Sequence, residues 1–236
     1  MQTMRSEAGC YGVQSQNSGE FAKRLSPAAW KDFGSMILPS SYPSNVILFS
    51  ERDPAGGVFV VLEGEVKLSI NSSDGRRLSL RIARKGEIVG LASTLSGKPY
   101  EMTAETLYPA KLASIGRRDF TNFLMRHPEV YQALGEELSR EYAIACEQLR
   151  RVGLSATAPE RLARLLLDWS ENGQKTEHGT RFHFSLTHGE IGEFIGASRE
   201  TVTRTLTNFK NRRLGAYHGS TVTIPSRTAL ENYACG

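Results

Sequence analysis

From about Ser44 to Ile115, apolar and polar residues alternate in short runs broken by turn formers. The runs NVILFS, VFVVLEG, EVKLSI, RRLSLRIA, EIVGLAS and the stretch from Pro99 to Ile115 are separated by Asp53-Pro54, Gly64, Ser73-Asp74-Gly75, Gly86 and Gly97. Short strands at such regular spacing predict an antiparallel sandwich or barrel. Asp74-Gly75 predicts a hairpin turn, because both residues tolerate the positive φ angles that a tight turn demands.

After Arg117 the period lengthens to that of a helix. Val130, Leu134, Leu138, Tyr142, Ala145, Leu149 and Val152 recur every third or fourth position and so share one helical stripe. His127-Pro128 suits the start of this helix and Gly153 its end. Packing against the barrel of the same chain and pairing in a coiled coil with a second copy both remain open for it. Ala156-Thr157-Ala158-Pro159 then predicts a hinge near residue 155, followed by a helix carrying Leu162, Leu165, Leu166 and Trp169. The first twenty residues are polar and are expected to be a flexible tail. The domains are therefore 1–20 (tail), 21–126 (antiparallel β-roll), 127–153 (dimerisation helix) and 154–236, a plan of the α+β class.

The most informative stretch is LTHGEIGEFIGASRETVTRTLTNFKNRRLGAYHGSTVTI, residues 186–224. Thr187 and Glu190 form the T-x-x-E pattern of a capping box and predict a helix carrying Ile191, Phe194 and Ile195. Gly196 permits a tight turn, and Ser198 starts a second helix with Val202, Leu206 and Phe209 on its inner side. Arg199, Glu200, Thr203 and Arg204 then fall together on the outer face near the N-terminal end. These are the positions that reach base edges when a helix-turn-helix enters the major groove. Arginine can donate two hydrogen bonds to guanine, and glutamate can accept one from cytosine. The strand-turn-strand LGAYHGSTVTI that follows predicts a wing. Thr187, His188, Ser198, Thr201, Lys210, Arg212, Arg213, His218, Gly219 and Ser220 are the expected contacts to the DNA backbone.

Charge agrees with this assignment. The net charge is only +4, yet residues 199–227 hold six basic side chains against the single acid Glu200. A local positive stripe suits phosphates. Hydrophobic residues make up 39% and charged residues 23%, which argues against disorder, and no apolar run reaches membrane-spanning length. The polar N-terminus carries no secretory signal, so a cytoplasmic location with no membrane partner is expected. Cys10, Cys146 and Cys235 are too scattered for a zinc or iron–sulfur site within one chain, and reduced thiols are expected. His127, His178, His183, His188 and His218 all follow the barrel, which argues against a cupin-type metalloenzyme, whose ligands project from barrel strands. The protein is thus not expected to be an enzyme or to hold a metal. A sensor or interaction protein without sequence-specific DNA binding is the remaining alternative.

The string Ser198-Arg199-Glu200-Thr201-Val202-Thr203-Arg204 resembles the recognition helix of the CRP/FNR family of bacterial transcription regulators, and the likeness spans residues 30 to about 225. It implies a cyclic-nucleotide-binding-like β-roll, a long dimer helix and a winged helix-turn-helix in this order. It also implies base reading by Arg199, Glu200 and Arg204 at palindromic TGTGA-like half-sites, with RNA polymerase as a further partner and an effector at the roll. The effector segment, GLASTLSGKPYEMTAE, departs from the nucleotide-binding pattern. Leu91, after Gly90, stands where a glutamate would contact ribose, and Tyr100-Glu101 stand where Arg-Ser would hold phosphate. A carboxylate repels a phosphate anion. Gly90, Leu91, Tyr100, Glu101 and Tyr142 therefore line an effector pocket whose ligand is unidentified. No cofactor is expected, a cyclic nucleotide is disfavoured, and heme stays open.

Overall fold

The computed structural model describes residues 20–154, 157–171 and 173–235. The expected tail up to residue 19, with Cys10, and the hinge residues Ser155-Ala156 lie outside the described residues. The described residues fall into two compact units. One comprises residues up to Val66, 82–100 and 104–139; the other comprises 67–81, 101–103 and everything from Arg140 onward. The sequence places one boundary near residue 155, whereas the units divide between Ser139 and Arg140.

The N-terminal region opens with α1 (Glu20–Lys23) and α2 (Pro27–Ser35), followed by β1 (Pro39–Tyr42), β2 (Ile47–Phe49), β3 (Gly57–Glu63), β4 (Val66–Asn71), β5 (Arg77–Ala83) and β6 (Ile88–Val89). Helix α3 (Leu91–Ser96), strands β7 (Thr103–Thr106) and β8 (Ala110–Gly116), and helix α4 (Arg117–Arg126) complete it. One four-stranded sheet has the order β1-β8-β3-β6 and another β2-β7-β4-β5. Strand β3 runs antiparallel to β8 from Gly57 opposite Gly116 to Glu63 opposite Lys111. Gly57 is required there, since a Cβ would lie 2.1 Å from the Ile115 carbonyl oxygen.

The run EIVGLAS is not one strand. Gly90 takes φ 81°, a left-handed conformation that ends β6 after Val89, and α3 begins at Leu91. Alternation alone does not reveal such a turn.

Two helices that strand periodicity leaves unassigned pack on the β1-β8-β3-β6 sheet. Ser26 caps α2 by accepting from the Ala29 amide, and Pro27 occupies its first turn. This places Phe33 against Phe21 and Phe123, with ring centroids 5.6 and 5.4 Å apart. Phe120, Phe123 and Leu124 of α4 join Val58, Val60 and Ile88 in the same core.

The long helix α5 runs Val130–Leu149 and ends in a π-helical turn, Arg150–Leu154. It therefore starts after His127-Pro128 and not within it. The His127 imidazole instead sits between Asp32 at 3.0 Å and Glu129 at 3.5 Å. The predicted stripe also divides in two. Val130 and Leu134 are buried in the core of their own unit, and Leu138 packs against it. Tyr142 and Leu149 are exposed, whereas Ala145 and Val152 are half-buried.

The second unit contains α6 (Ala158–Ser170), β9 (Gln174–Thr176), β10 (Gly179–His183), α7 (His188–Ile195), α8 (Arg199–Asn211), β11 (Ala216–His218), β12 (Thr221–Ile224) and α9 (Arg227–Cys235). The wing is wider than two strands, because its sheet has the order β11-β12-β10-β9. Leu162, Leu166, Ile195, Val202, Phe209, Val222 and Leu230 form the core.

The same unit includes most of the β4–β5 hairpin. Lys67, only 4% exposed, lies 3.3 Å from Glu193 and 3.8 Å from Glu190. The Ser79 hydroxyl donates to Glu193 at 3.0 Å. Gln148 Nε2 donates both to the Ser79 carbonyl at 3.0 Å and to the Phe194 carbonyl at 2.8 Å. A buried charge costs stability unless it is paired, so removing one partner exposes the penalty of the other. Lys67→Ala should lower unfolding stability by about 2–3 kcal/mol, as expected for leaving a charge-assisted group without its partner. An unchanged urea midpoint would show that this cluster holds nothing.

Candidate nucleic-acid interface

Two glycines make the junction between α7 and α8. Gly196 takes φ 59° and terminates α7, with its amide donating to the Gly192 carbonyl. A Cβ on Gly192 would lie 2.4 Å from the Ala197 carbonyl oxygen, so only glycine lets the turn fold back this closely. From α6, Arg161 Nε donates to the Ile195 carbonyl at 2.6 Å and satisfies the end of α7.

Both helix starts are capped. Thr187 accepts from the Glu190 amide at 3.2 Å, and the Thr187 amide donates to the Glu190 carboxylate at 2.8 Å, completing the capping box. Ser198 accepts from the Thr201 amide at 3.2 Å. The Thr187 hydroxyl also donates to Glu190 within the cap.

On α8, Val202, Thr205, Leu206 and Phe209 are buried, while Arg199, Glu200, Thr203 and Arg204 are exposed on the other side. The four residues predicted to read bases thus share one face. Thr205 is buried as well, a position that hydrophobic periodicity passes over. Its hydroxyl is satisfied by the Thr201 carbonyl at 2.8 Å, which lets a polar residue sit inside. Glu200 titrates below its ordinary value, first because its own backbone amide donates to it and then because Ser198 does. His188, at the first position of α7, is half-buried and has its Nδ1 2.7 Å from the Thr203 hydroxyl.

The end of α8 is a Schellman turn. Arg213 takes φ 56°, its amide bonds the Lys210 carbonyl at 3.1 Å, and the Leu214 amide bonds Phe209 at 2.9 Å. Lys210, Arg212 and Arg213 are exposed there, with the Arg212 guanidinium 4.8 Å above the Tyr233 ring. His218, Gly219 and Ser220 form the exposed wing turn, where Gly219 adopts φ 60°.

The candidate effector residues behave differently. Tyr100 points inward, stacks on Phe49 at 3.8 Å, donates to the Gly57 carbonyl at 2.6 Å and accepts from the Gly57 amide at 3.1 Å. Even a Cβ on Gly90 would meet the Tyr100 ring at 2.9 Å, and Leu91 is buried beside it. Leu91 and Tyr100 are therefore packed side chains next to the half-buried Gly90. Glu101 is exposed, as is Tyr142, whose phenol is hydrogen-bonded to Cys146, which pushes its pKa up. Among the described residues, no group of three or more His, Cys, Asp or Glu is placed to hold a metal. Among those residues, too, no helix is long and apolar enough to cross a membrane.

Two capped helices joined by a glycine turn, with a basic and hydroxyl-rich outer face and a β-wing behind, define a winged helix-turn-helix DNA-binding domain. Residues 160–233 match the family model of the Crp-like helix-turn-helix domain, and residues 39–127 match that of the cyclic nucleotide-binding domain. The CRP-like cAMP-activated global transcriptional regulator of Mycobacterium tuberculosis is 26% identical over 211 residues, covering 89% of this chain and 94% of that protein. The transcriptional activatory protein AadR of Rhodopseudomonas palustris is 28% identical over 192 residues, covering 80% and 78%. The solved structure of CLP, the c-di-GMP responsive global regulator of Xanthomonas campestris, superposes with a TM-score of 0.75 at 23% identity, covering 85% of this chain and 100% of that one, which establishes the shared fold. The chain belongs to the CRP/FNR family of transcription regulators and carries that family's helix-turn-helix DNA-binding domain.

Two measurements check these local assignments. Tyr100→Phe should cost about 1–3 kcal/mol, because it leaves a buried backbone group of Gly57 unpaired. Glu200 should titrate below the usual glutamate value of about 4.3 in an NMR pH series, and Ser198→Ala should move it back toward that value. The sign follows from the lowered folded value: the contribution of Glu200 to stability is complete above the unfolded pKa and fades as pH falls through the folded one.

Proposed function

We propose that this protein regulates transcription by binding, as a homodimer, a palindromic site with TGTGA-like half-sites. The observation that carries this reading is the outward set Arg199, Glu200, Thr203 and Arg204 on a capped α8. Arginine and glutamate side chains offer opposite hydrogen-bonding patterns, so together they can distinguish guanine from cytosine along the groove. Lys210, Arg212, Arg213 and the wing turn are exposed and would contact phosphates, supplying affinity without sequence preference.

The dimer reading rests on α5. Tyr131, Tyr142 and Leu149 are 52%, 73% and 69% exposed, and their spacings of eleven and seven residues bring them close to one line along the helix. Exposed large apolar side chains aligned along a helix suit the same helix of a second copy. A two-fold partner would present two recognition helices, which must lie ~34 Å apart to enter successive major grooves. An effector that favours one arrangement of the DNA-binding domains would then switch binding by population shift. The Mycobacterium relative is named for cAMP and the Xanthomonas protein for c-di-GMP. Here Leu91, Tyr100 and Glu101 argue against an anionic nucleotide at the same segment, and no cofactor is proposed. The relatives are regulators, so no enzymatic activity is proposed. The site of action is the cytoplasm, with RNA polymerase as the downstream partner.

Selection of bound sequences from a random DNA pool tests the half-site directly. Arg204→Ala should weaken the selected site by about 1–3 kcal/mol and relax one base pair. Arg213→Ala should weaken all sequences alike and reduce the salt dependence. A protein that enriches no sequence would be an interaction module instead. Leu149→Asp should shift the protein from dimer to monomer in sedimentation while each protomer stays folded.

A further inference from the structure

The hydrogen bonds around Thr203 limit what that residue can say to a base pair. Its hydroxyl lies 3.0 Å from the Arg199 carbonyl, one helical turn back. A carbonyl only accepts, so the single hydroxyl proton can be donated there. The same oxygen lies 2.7 Å from His188 Nδ1. With an Nδ1–H imidazole the hydroxyl accepts from the ring and donates to the carbonyl; with the Nε2–H tautomer it donates to Nδ1 instead, so either way its proton is spent inside the domain. Thr203 therefore has no proton left for guanine O6 or N7, or for thymine O4. What it still offers on the exposed face is its γ-methyl group, held at a different staggered position of the same Cβ.

We propose that His188 is a positioning residue for base reading, which locks the Thr203 hydroxyl inward so that the threonine methyl, and not the hydroxyl, meets the base edge and selects the thymine C5-methyl. This rests on the proposed entry of α8 into the major groove, where thymine alone presents a methyl. His188 suits the task because it is the first residue of α7, set by the Thr187–Glu190 capping box, and its ring is half-buried. The lock therefore ties the first helix of the motif to the reading face of the second. The charged groups sharing this region are Arg199, Glu200 and Arg204 on α8 and Glu190 on α7, the last engaged in the cap. Either neutral tautomer of the ring engages the Thr203 hydroxyl, the Nδ1–H form as donor and the Nε2–H form as acceptor.

The test uses the full-length protein and its selected site, with each thymine replaced in turn by deoxyuridine, which removes only the C5-methyl. For the wild type, one position per half-site should lose about fourfold in affinity, the worth of one buried methyl-sized group. Thr203→Val keeps the methyls and should retain that loss, whereas Thr203→Ser keeps the hydroxyl and should abolish it. His188→Ala should blunt the discrimination at that position alone, with an unchanged melting temperature, and His188→Asn, which restores an amide donor, should recover it. The opposite pattern, with discrimination kept by Thr203→Ser and lost by Thr203→Val, would overturn the inference. So would His188→Ala having no effect. Arg204→Ala separates the two levels: if it relaxes its own base pair while every Thr203 variant behaves as wild type, the methyl reading fails alone. If neither residue alters selectivity anywhere, the placement of α8 in the groove fails with it.

Discussion

Everything on the DNA-binding side depends on how closely α7 and α8 approach across their turn. At Gly192 the Ala197 carbonyl comes back to where any side chain would stand, 2.4 Å from a notional Cβ. That approach lets Ile191, Phe194 and Ile195 bury against Val202, Leu206 and Phe209. Once those faces are buried, the other side of α8 is exposed by necessity. The exposed face of α8 is thus a consequence of helix packing as much as of its own residues.

Around this junction, most of the short polar side chains are already occupied. Thr187 and Ser198 cap helices, Thr205 returns to the Thr201 carbonyl, and Thr203 is shared between Arg199 and His188. Hydroxyls that look like phosphate ligands in a list of residues are mostly satisfied inside the domain. The charged side chains Arg199, Glu200, Arg204, Lys210, Arg212 and Arg213 are instead exposed. The same economy governs the roll, where the Tyr100 phenol uses both its donor and its acceptor on Gly57.

The long helix shows one periodic signal serving two purposes. Val130, Leu134 and Leu138 complete the core of the N-terminal unit, while Tyr142 and Leu149, on the same stripe, are left uncovered. Periodicity reports that a face is apolar, not what covers it. For the same reason α1, α2, α9 and the β9–β10 hairpin escaped the sequence pattern. They are short, and their formation depends on partners distant in sequence, as with Phe33 against Phe123.

The sequence alone determined the two helices of the helix-turn-helix and the four residues that α8 exposes, because capping residues, glycine turns and helical spacing are local and leave their mark within a few positions. Tertiary structure alone decided that Gly90 breaks a strand, that Tyr100 and Leu91 are packed away, that Lys67 of the roll hairpin pairs with Glu193 of α7, and that His188 faces Thr203. Those outcomes depend on which groups meet across fifteen to more than a hundred residues. A hydrogen-bonding side chain shows its capacity in the sequence, but only its neighbours decide how that capacity is spent.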